Sequence, residues 1–271
     1  MKNYVVLFTI ILFNFCNAQN YKIYYKLSYK KDSTDSKLST KNMVLEINKN
    51  KSFFYSPSDL QTGSRETSAA VNTEITYDGE PFEYILTVKN NSSKEISKTT
   101  SIGMNTYEIK DTPILNWKIE NEKKKIGTYN CQKATLSFSG RQWEAWFSTE
   151  VAINNGPYIF SGLPGLIIKI NETKNNFDFE LTGLEKMKPE QKNFSWNSRS
   201  IKTTKKQLQK LKLDYYSDPF KEIRAGEGMM ITRGDSGEPV QANLKESVKQ
   251  EQEKLKKENN PLELVDLVKY P

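Results

Sequence analysis

The 271-residue chain contains no histidine, which sharply bounds the side chains able to do chemistry. A Ser-His-Asp or Cys-His nucleophile, a histidine general base and a histidine metal ligand are all excluded. Carboxylates, lysines, tyrosines and two cysteines remain. Cys131 has only Lys124 or Lys133 nearby in sequence to favour its thiolate, and free cysteine is among the most buried residue types. It therefore reads as an inert strand thiol. Met229-Met230 is a single methionine doublet, too little for a soft-metal site. Glu144 and Glu150 share a strand face by parity, but extended chain holds them ~20 Å apart, too far for paired acid–base work. Asp178 and Glu180 alternate with Phe177 and Phe179, as solvent-side strand residues do. Gly226-Glu227-Gly228 and Arg233-Gly234-Asp235-Ser236-Gly237 lack the strand–loop–helix setting and the Gly-Lys-Ser/Thr ending of a phosphate loop. The residues single out no catalytic group, no metal ligands and no cofactor.

A binding role has better candidates. Val151 to Ile168 carries no charge. It cannot be a membrane helix, because Gly156, Pro157, Gly162, Pro164 and Gly165 interrupt it and Asn154-Asn155 would sit in lipid. An apolar loop with fixed turns fits: the prolines set φ and the glycines permit positive φ. Such a loop must be buried or must bury something else. Just before it, Trp143 and Trp146 fall on opposite faces of a strand, while Arg141 and Trp143 share one. Arg141 is thereby placed to stack on an aromatic ring or to reach an acidic ligand group. The candidate binding residues are Arg141, Trp143, Trp146, Tyr158, Phe160, Gly162, Leu163, Pro164, Gly165 and Leu166. Two readings stay open: the loop is the lip of a ligand cleft, or it folds over the open end of a sheet and closes the core.

Gly162-Leu163-Pro164-Gly165-Leu166-Ile167 spells GLPGLI, and here the chain resembles the GLPGLI family of exported Bacteroidetes proteins. The flanks match that pattern too. Tyr129-x-Cys131-x-Lys133-Ala134 precedes Gly140-Arg141-x-Trp143-x-Ala145-Trp146-Phe147, and Gly156-Pro157 leads into the motif. Asn259-Asn260-Pro261-Leu262-Glu263-Leu264 is similar to the family's C-terminal tail. Phe147 stands where relatives often have tyrosine. The resemblance covers residues 124–186 closely and the rest in outline. It implies export and no established molecular function.

The elements that position these residues read as strands over most of the chain. Tyr21, Ile23, Tyr25, Leu27 and Tyr29 alternate with mostly lysine, as do Met43, Leu45 and Ile47 with polar residues. Ser52 to Tyr55 returns as an aromatic strand after a turn. Strands are expected at 72–78, 83–89, 94–99 and 104–110, then at 124–129, 131–138 and 141–148, and in a hairpin of 166–170 with 176–184. Residues 57–70 read as a loop or frayed helix. The last part changes character: a short helix at 203–213 with a threonine cap, a long loop at 214–239, a charged helix at 240–259, and an apolar strand or docked tail at 262–268. Short strands joined by short turns predict a mainly β fold: a curved, mostly antiparallel sheet, possibly half-barrel-like as in lipoprotein carriers, with a few peripheral helices in the C-terminal third.

The N-terminus reads as a signal peptide: Lys2, then an apolar run from Val5 to Phe13, then Cys16-Asn17-Ala18 with Gln19 as first mature residue. The run is too short to span a bilayer. The organisation expected is a signal peptide at 1–18, a β-rich domain at 19–199 and a helical and loop extension at 200–271 packed on the same domain. Its location is the periplasm or the outside of a Gram-negative cell, with no transmembrane segment after cleavage. The net charge is +7, one less without Lys2, but lysine is spread evenly in the manner of solvated strand faces. Nucleic acid is therefore excluded as a partner. Three functional classes remain. A carrier of lipid or apolar peptide predicts an accessible aromatic cavity. A structural or interaction protein of the envelope predicts a filled core. An enzyme predicts convergent polar groups with perturbed pKa values, and the residues offer least for that.

Overall fold

The computed structural model of the chain describes residues 20–63, 83–188, 200–226, 231–233, 239–241 and 243–271. The leader at 1–18, the strand expected at 72–78, Met229-Met230, Gly228 and residues 234–237 lie outside these. Twelve strands form one sheet. In chain order they are β1 (Tyr21–Tyr29), β2 (Ser39–Ile47), β3 (Lys51–Tyr55), β4 (Leu86–Asn90), β5 (Ile96–Ile102), β6 (Asn105–Asp111), β7 (Lys118–Ile126), β8 (Tyr129–Phe138), β9 (Arg141–Ser148), β10 (Leu166–Glu172), β11 (Phe177–Lys186) and β12 (Ile201–Thr203). Their spatial order is β12-β6-β5-β4-β3-β2-β1-β11-β10-β9-β8-β7. Neighbours pair antiparallel throughout, except that β12 runs parallel to β6. The expectation of a mainly β, mostly antiparallel sheet with a few helices near the C-terminus holds. Those helices are α2 (Lys205–Ser217), α3 (Lys221–Arg224) and α4 (Leu244–Lys257); α1 (Pro57–Gly63) stands alone in the first half.

Cross-strand partners share a face, so the register carries one inner row from strand to strand. Leu45 lies opposite Phe54, Phe54 opposite Thr87, Thr87 opposite Lys98 and Lys98 opposite Ile109. A second row runs through Ile47, Ser52, Lys89, Ile96 and Asp111. On the other side of β1 the inner row passes through Phe179, Ile170, Ala145 and Ala134. Side chains of β6 and of β8, near opposite edges, belong to one contiguous core. The sheet must curl for them to do so. A small cluster of Val44, Tyr55 and Leu86, with Leu60 of α1 against it, covers part of the outer face.

The segment between β9 and β10 lies on the concave face. Its polar backbone is satisfied locally: Phe160 N–H donates to Pro157 O at 3.0 Å, Gly165 N–H to Leu163 O at 2.8 Å and Gly162 N–H to the Asn154 side chain at 2.7 Å. Trp117 Nε1 adds a bond of 2.8 Å to Ser161 O. The two motif glycines serve different needs. Gly162 has φ +99° in open space, the nearest atoms to an added Cβ being the Trp117 ring at 3.8 Å. Gly165 approaches the end of β9 so closely that a Cβ would stand 2.2 Å from Ser148 O.

Several element boundaries differ from expectation. The strand expected at 124–129 begins at Lys118 and turns at Gly127-Thr128. As an edge strand with hardly any buried face it carries no apolar alternation to read. The helix expected at 203–213 continues to Ser217, because Tyr216 is buried against the C-terminus: its ring stacks on Tyr270 at 4.9 Å and its hydroxyl donates to Pro271 O. Thr204 caps it, reciprocally with Gln207. The loop expected at 214–239 holds α3 and a hairpin of Ile231–Arg233 with Pro239–Gln241, so Val240 is in a strand and the last helix starts at Leu244. The tail after Pro261 docks, with a 3-10 turn at Leu264–Asp266, and forms no strand.

The two glycines and the two motif leucines should separate in equilibrium urea melts. Gly165→Val is expected to lose roughly 2–4 kcal/mol, since backbone rather than a side-chain tip opposes its Cβ. Gly162→Ala is expected to lose only ~1–2 kcal/mol, from its positive φ alone. Leu163→Ala and Leu166→Ala should each lose ~2–5 kcal/mol. An unchanged midpoint for Leu163→Ala would show that its side chain is not part of the core.

Candidate functional site

The candidate residues are mostly buried in a single aromatic assembly. Phe160 packs at 4.7 Å from Trp143, 6.0 Å from Tyr158 and 6.2 Å from Trp117, centroid to centroid. Leu163 and Leu166 are both buried beside it, at 1% and 0% exposure, while Gly162 and Pro164 face outward and Gly165 is buried. Trp146 is on the opposite face from Trp143. There Lys124 Nζ lies 3.6 Å above its ring and Glu144 accepts its N–H at 3.0 Å. Glu150 instead bonds Asn130 at 2.6 Å, so the two glutamates act separately. Cys131 is buried, and burial pushes its thiol above the ordinary value.

Arg141 is used internally. Its guanidinium stacks on Phe177 at 4.9 Å and donates to Asn260 Oδ1 at 2.7 Å, to Leu262 O at 3.1 Å and to Pro261 O. The acceptors all belong to the C-terminal segment. That segment is bound along its length. Asn259 pairs with Ser33 and Asp32, Asn260 Nδ2 donates to Lys30 O at 2.8 Å, Leu262 N–H donates to Glu83 Oε2 at 2.8 Å and Leu264 N–H to Ser139 O at 2.9 Å. Leu262 is fully buried. Glu263 beside it is equally buried, at 1% exposure.

Around Glu263 the structure joins Tyr158, a candidate from the sequence, to charged groups that the sequence did not single out. Lys98 Nζ lies 2.5 Å from Glu263 Oε1, the two side chains each 1% exposed. Tyr158 hydroxyl donates to the same oxygen at 2.6 Å, and Lys205 Nζ reaches Oε2 at 3.2 Å. Tyr158 adopts φ +51° to aim its ring here, a strained conformation for a bulky residue. Tyr84 stacks on Tyr158 at 6.0 Å, with Lys98 Nζ 4.9 Å above the Tyr84 ring. Burial works against the Glu263 carboxylate, but the charge and hydrogen bond of Lys98, then Tyr158 and Lys205, bring its pKa down to about 2. Burial pushes the Glu83 carboxyl up, and its Oε1 is buried with no hydrogen-bond partner. Asp266 is likewise raised, by burial and by the charge of Glu263. Tyr84 and Tyr158 stand well above the ordinary tyrosine value, chiefly through burial.

A second buried ammonium lies close by. Lys89, in the inner row beside Ile96, donates to Gly156 O at 2.6 Å and to Phe160 O at 3.4 Å. Burial lowers its pKa well below 10.5. Asn155 Nδ2 bonds Ser52 Oγ, the next inner position, at 3.1 Å. The loop is therefore clamped to β3, β4 and β5 through Ser52, Lys89 and Lys98. The even spread of lysine suggested solvated faces for all of them. Lys89 and Lys98 contradict that, and the parity of Ile96 with Lys98 was the available signal. Among the described residues no group of acidic and cysteine side chains is placed to hold a metal, and no helix is long and apolar enough to cross a membrane.

Residues 139–169 match the family described as "Protein of unknown function (Porph_ging)". That stretch is the β8–β9 turn, β9, the loop and the start of β10. No curated protein matches the sequence. The fold is similar to that of PNGF-II in space group P21, with TM-score 0.50 and 18% identity over 72% of this chain and 33% of that chain. PNGF-II in space group C2 gives TM-score 0.47 and 20% identity, over 69% and 31%. This chain thus spans about a third of the length of PNGF-II. At such identity the likeness concerns the fold alone.

Two outcomes check the burial argument. The depressed pKa of Lys89 means that the native state gives up its proton before the unfolded state does, so stability should rise with pH up to the unfolded value of 10.5. Urea midpoints measured from neutral pH to about pH 10 should climb for the native sequence and flatten for Lys89→Met. Cys131 should react with a bulky maleimide only after urea unfolding; rapid labelling of the folded chain would refute an inert thiol.

Proposed function

We propose that the chain is an exported, non-catalytic protein of the cell envelope, periplasmic or extracellular, acting as a self-capped structural or interaction module. In this reading the GLPGLI resemblance extends beyond the matched stretch, and the motif loop is a closure of the core. The observation that carries it is the occupation of the concave face. Tyr158, Phe160, Leu163 and Leu262, all from the chain's own loop and tail, fill the aromatic surface that an apolar ligand would need. Arg141, the residue best suited to an acidic ligand, is committed to Asn260, Pro261 and Leu262. Export rests on the leader at residues 1–18 and on a mature chain with one thiol, which needs no disulfide chemistry. Its partner is accordingly another envelope protein rather than a lipid or an apolar peptide.

N-terminal sequencing and native mass spectrometry of protein purified from its own envelope fraction test both halves. The expected result is a polypeptide starting at Gln19 with no non-covalent ligand. An intact Met1 in the cytosol, or an acylated Cys16, would overturn export. A lipid or peptide released on unfolding would move the function to a carrier.

A further inference from the structure

The Lys98–Glu263 contact has the ingredients of a covalent bond. An amine and a carboxyl group form an amide by losing water. Inside a protein the reaction needs the two held in contact, water kept out, a route for the proton and a donor for the oxygen that becomes negative. Each is present. The nitrogen and the carboxylate oxygen stand 2.5 Å apart at 1% exposure on both side chains. Tyr158 hydroxyl contacts Glu263 Oε1 at 2.6 Å and lies 3.5 Å from Lys98 Nζ, bridging amine and acid. Lys205 holds the other oxygen, Oε2, at 3.2 Å. The rings of Tyr84 and Tyr158 wall the site. Glu83 interacts electrostatically with both reacting side chains and adds a buried carboxyl beside them.

We propose that Lys98 and Glu263 condense to an ε-(γ-glutamyl)lysine amide that ties the C-terminal segment to β5. The charged pair is the arrangement before reaction. Relay of the ammonium proton through Tyr158 gives a minor, uncharged form of the pair, the amine beside the carboxylic acid, and the reaction proceeds from that form although the resting Glu263 is held as the carboxylate. The Nζ lone pair attacks Cδ of Glu263 and the C–N bond forms. The C–Oε1 bond breaks, and Oε1 leaves as water with one hydrogen from the acid and one from the amine. Oε2, stabilised by Lys205 while it carries negative charge, becomes the amide carbonyl. No oxidant or other reactant is consumed. With Cys131 as the one thiol of the described residues, the amide does for the tail what a disulfide cannot.

Chemical cleavage at methionine tests this without depending on the fold. Cyanogen bromide cuts after Met43, Met104, Met187, Met229 and Met230, which leaves Lys98 in fragment 44–104 and Glu263 in fragment 231–271. Applied to full-length protein from its own envelope, denatured first, it should yield these two fragments as one branched species. Its mass should be lower than their sum by one water, with tandem spectra placing the branch at Lys98 and Glu263. Lys98→Arg keeps the ion pair but forms no such amide, so its fragments should separate. Two free fragments of full mass from the native sequence would overturn the proposal, as would a branched species persisting in Lys98→Arg.

Discussion

A lysine ammonium at 1% exposure, such as that of Lys98, cannot be tolerated in an apolar interior without a counter-charge, and the nearest strands provide none that touches it. Its inner-row neighbours are Thr87 and Ile109. The balancing carboxylate arrives from Glu263, at the far end of the chain. Much of the molecule can be understood from that requirement. Arg141 grips the tail backbone at Pro261 and Leu262, just before Glu263 turns inward, and Leu262 is itself buried. Tyr158 accepts an unfavourable φ to complete the carboxylate's hydrogen bonds. Removing one partner of such a pair costs about 3–5 kcal/mol, because the other is left charged and dry.

The loop and the tail are interdependent for the same reason. The loop's backbone carbonyls, at Gly156 and Phe160, are the partners of Lys89. Its Tyr158 is a partner of the tail. Neither segment is a regular element, and neither would hold its shape in isolation. They are ordered by polar groups pointing inward from β3, β4 and β5, in a core otherwise lined by rings and aliphatic chains. At the other end of the loop, Ile167 O, next to the β-bulge of β10, accepts the Tyr25 hydroxyl of β1 at 2.7 Å.

The sheet was legible wherever one face is apolar and the other is not. Ile23, Tyr25, Leu27 and Tyr29 announce β1 and point inward as their period requires. Trp143 and Trp146 do fall on opposite faces, and Arg141 does share a face with Trp143. Legibility fails where the pattern has no contrast. Lys118–Ile126 is an edge strand exposed nearly everywhere, and Tyr216 lengthens its helix through a contact with residues far along the chain. The polar site was illegible for a different reason. A lysine spaced as if on a solvated face reads the same whether it points out or in. Lys98 is distinguished only by parity with Ile96 and by a glutamate that sequence separation hides. The tail residues Asn259 to Leu264 were visible as a motif, but their role as a lining of the core was not.

The position of Glu263 has a bearing on how the molecule is made. A chain emerges from its N-terminus, so all twelve strands exist before the last residues are available. Until then the inner face holds Lys98 without its carboxylate and an unfilled space where Leu262 belongs. Completion of the core therefore waits on residues 260–263. A product cut short by even a dozen residues keeps every strand and loses the seal, leaving an open aromatic surface that a protease or chaperone can recognise. The sheet's inner face is in this sense left open by its own strands and sealed only by residues 260–263.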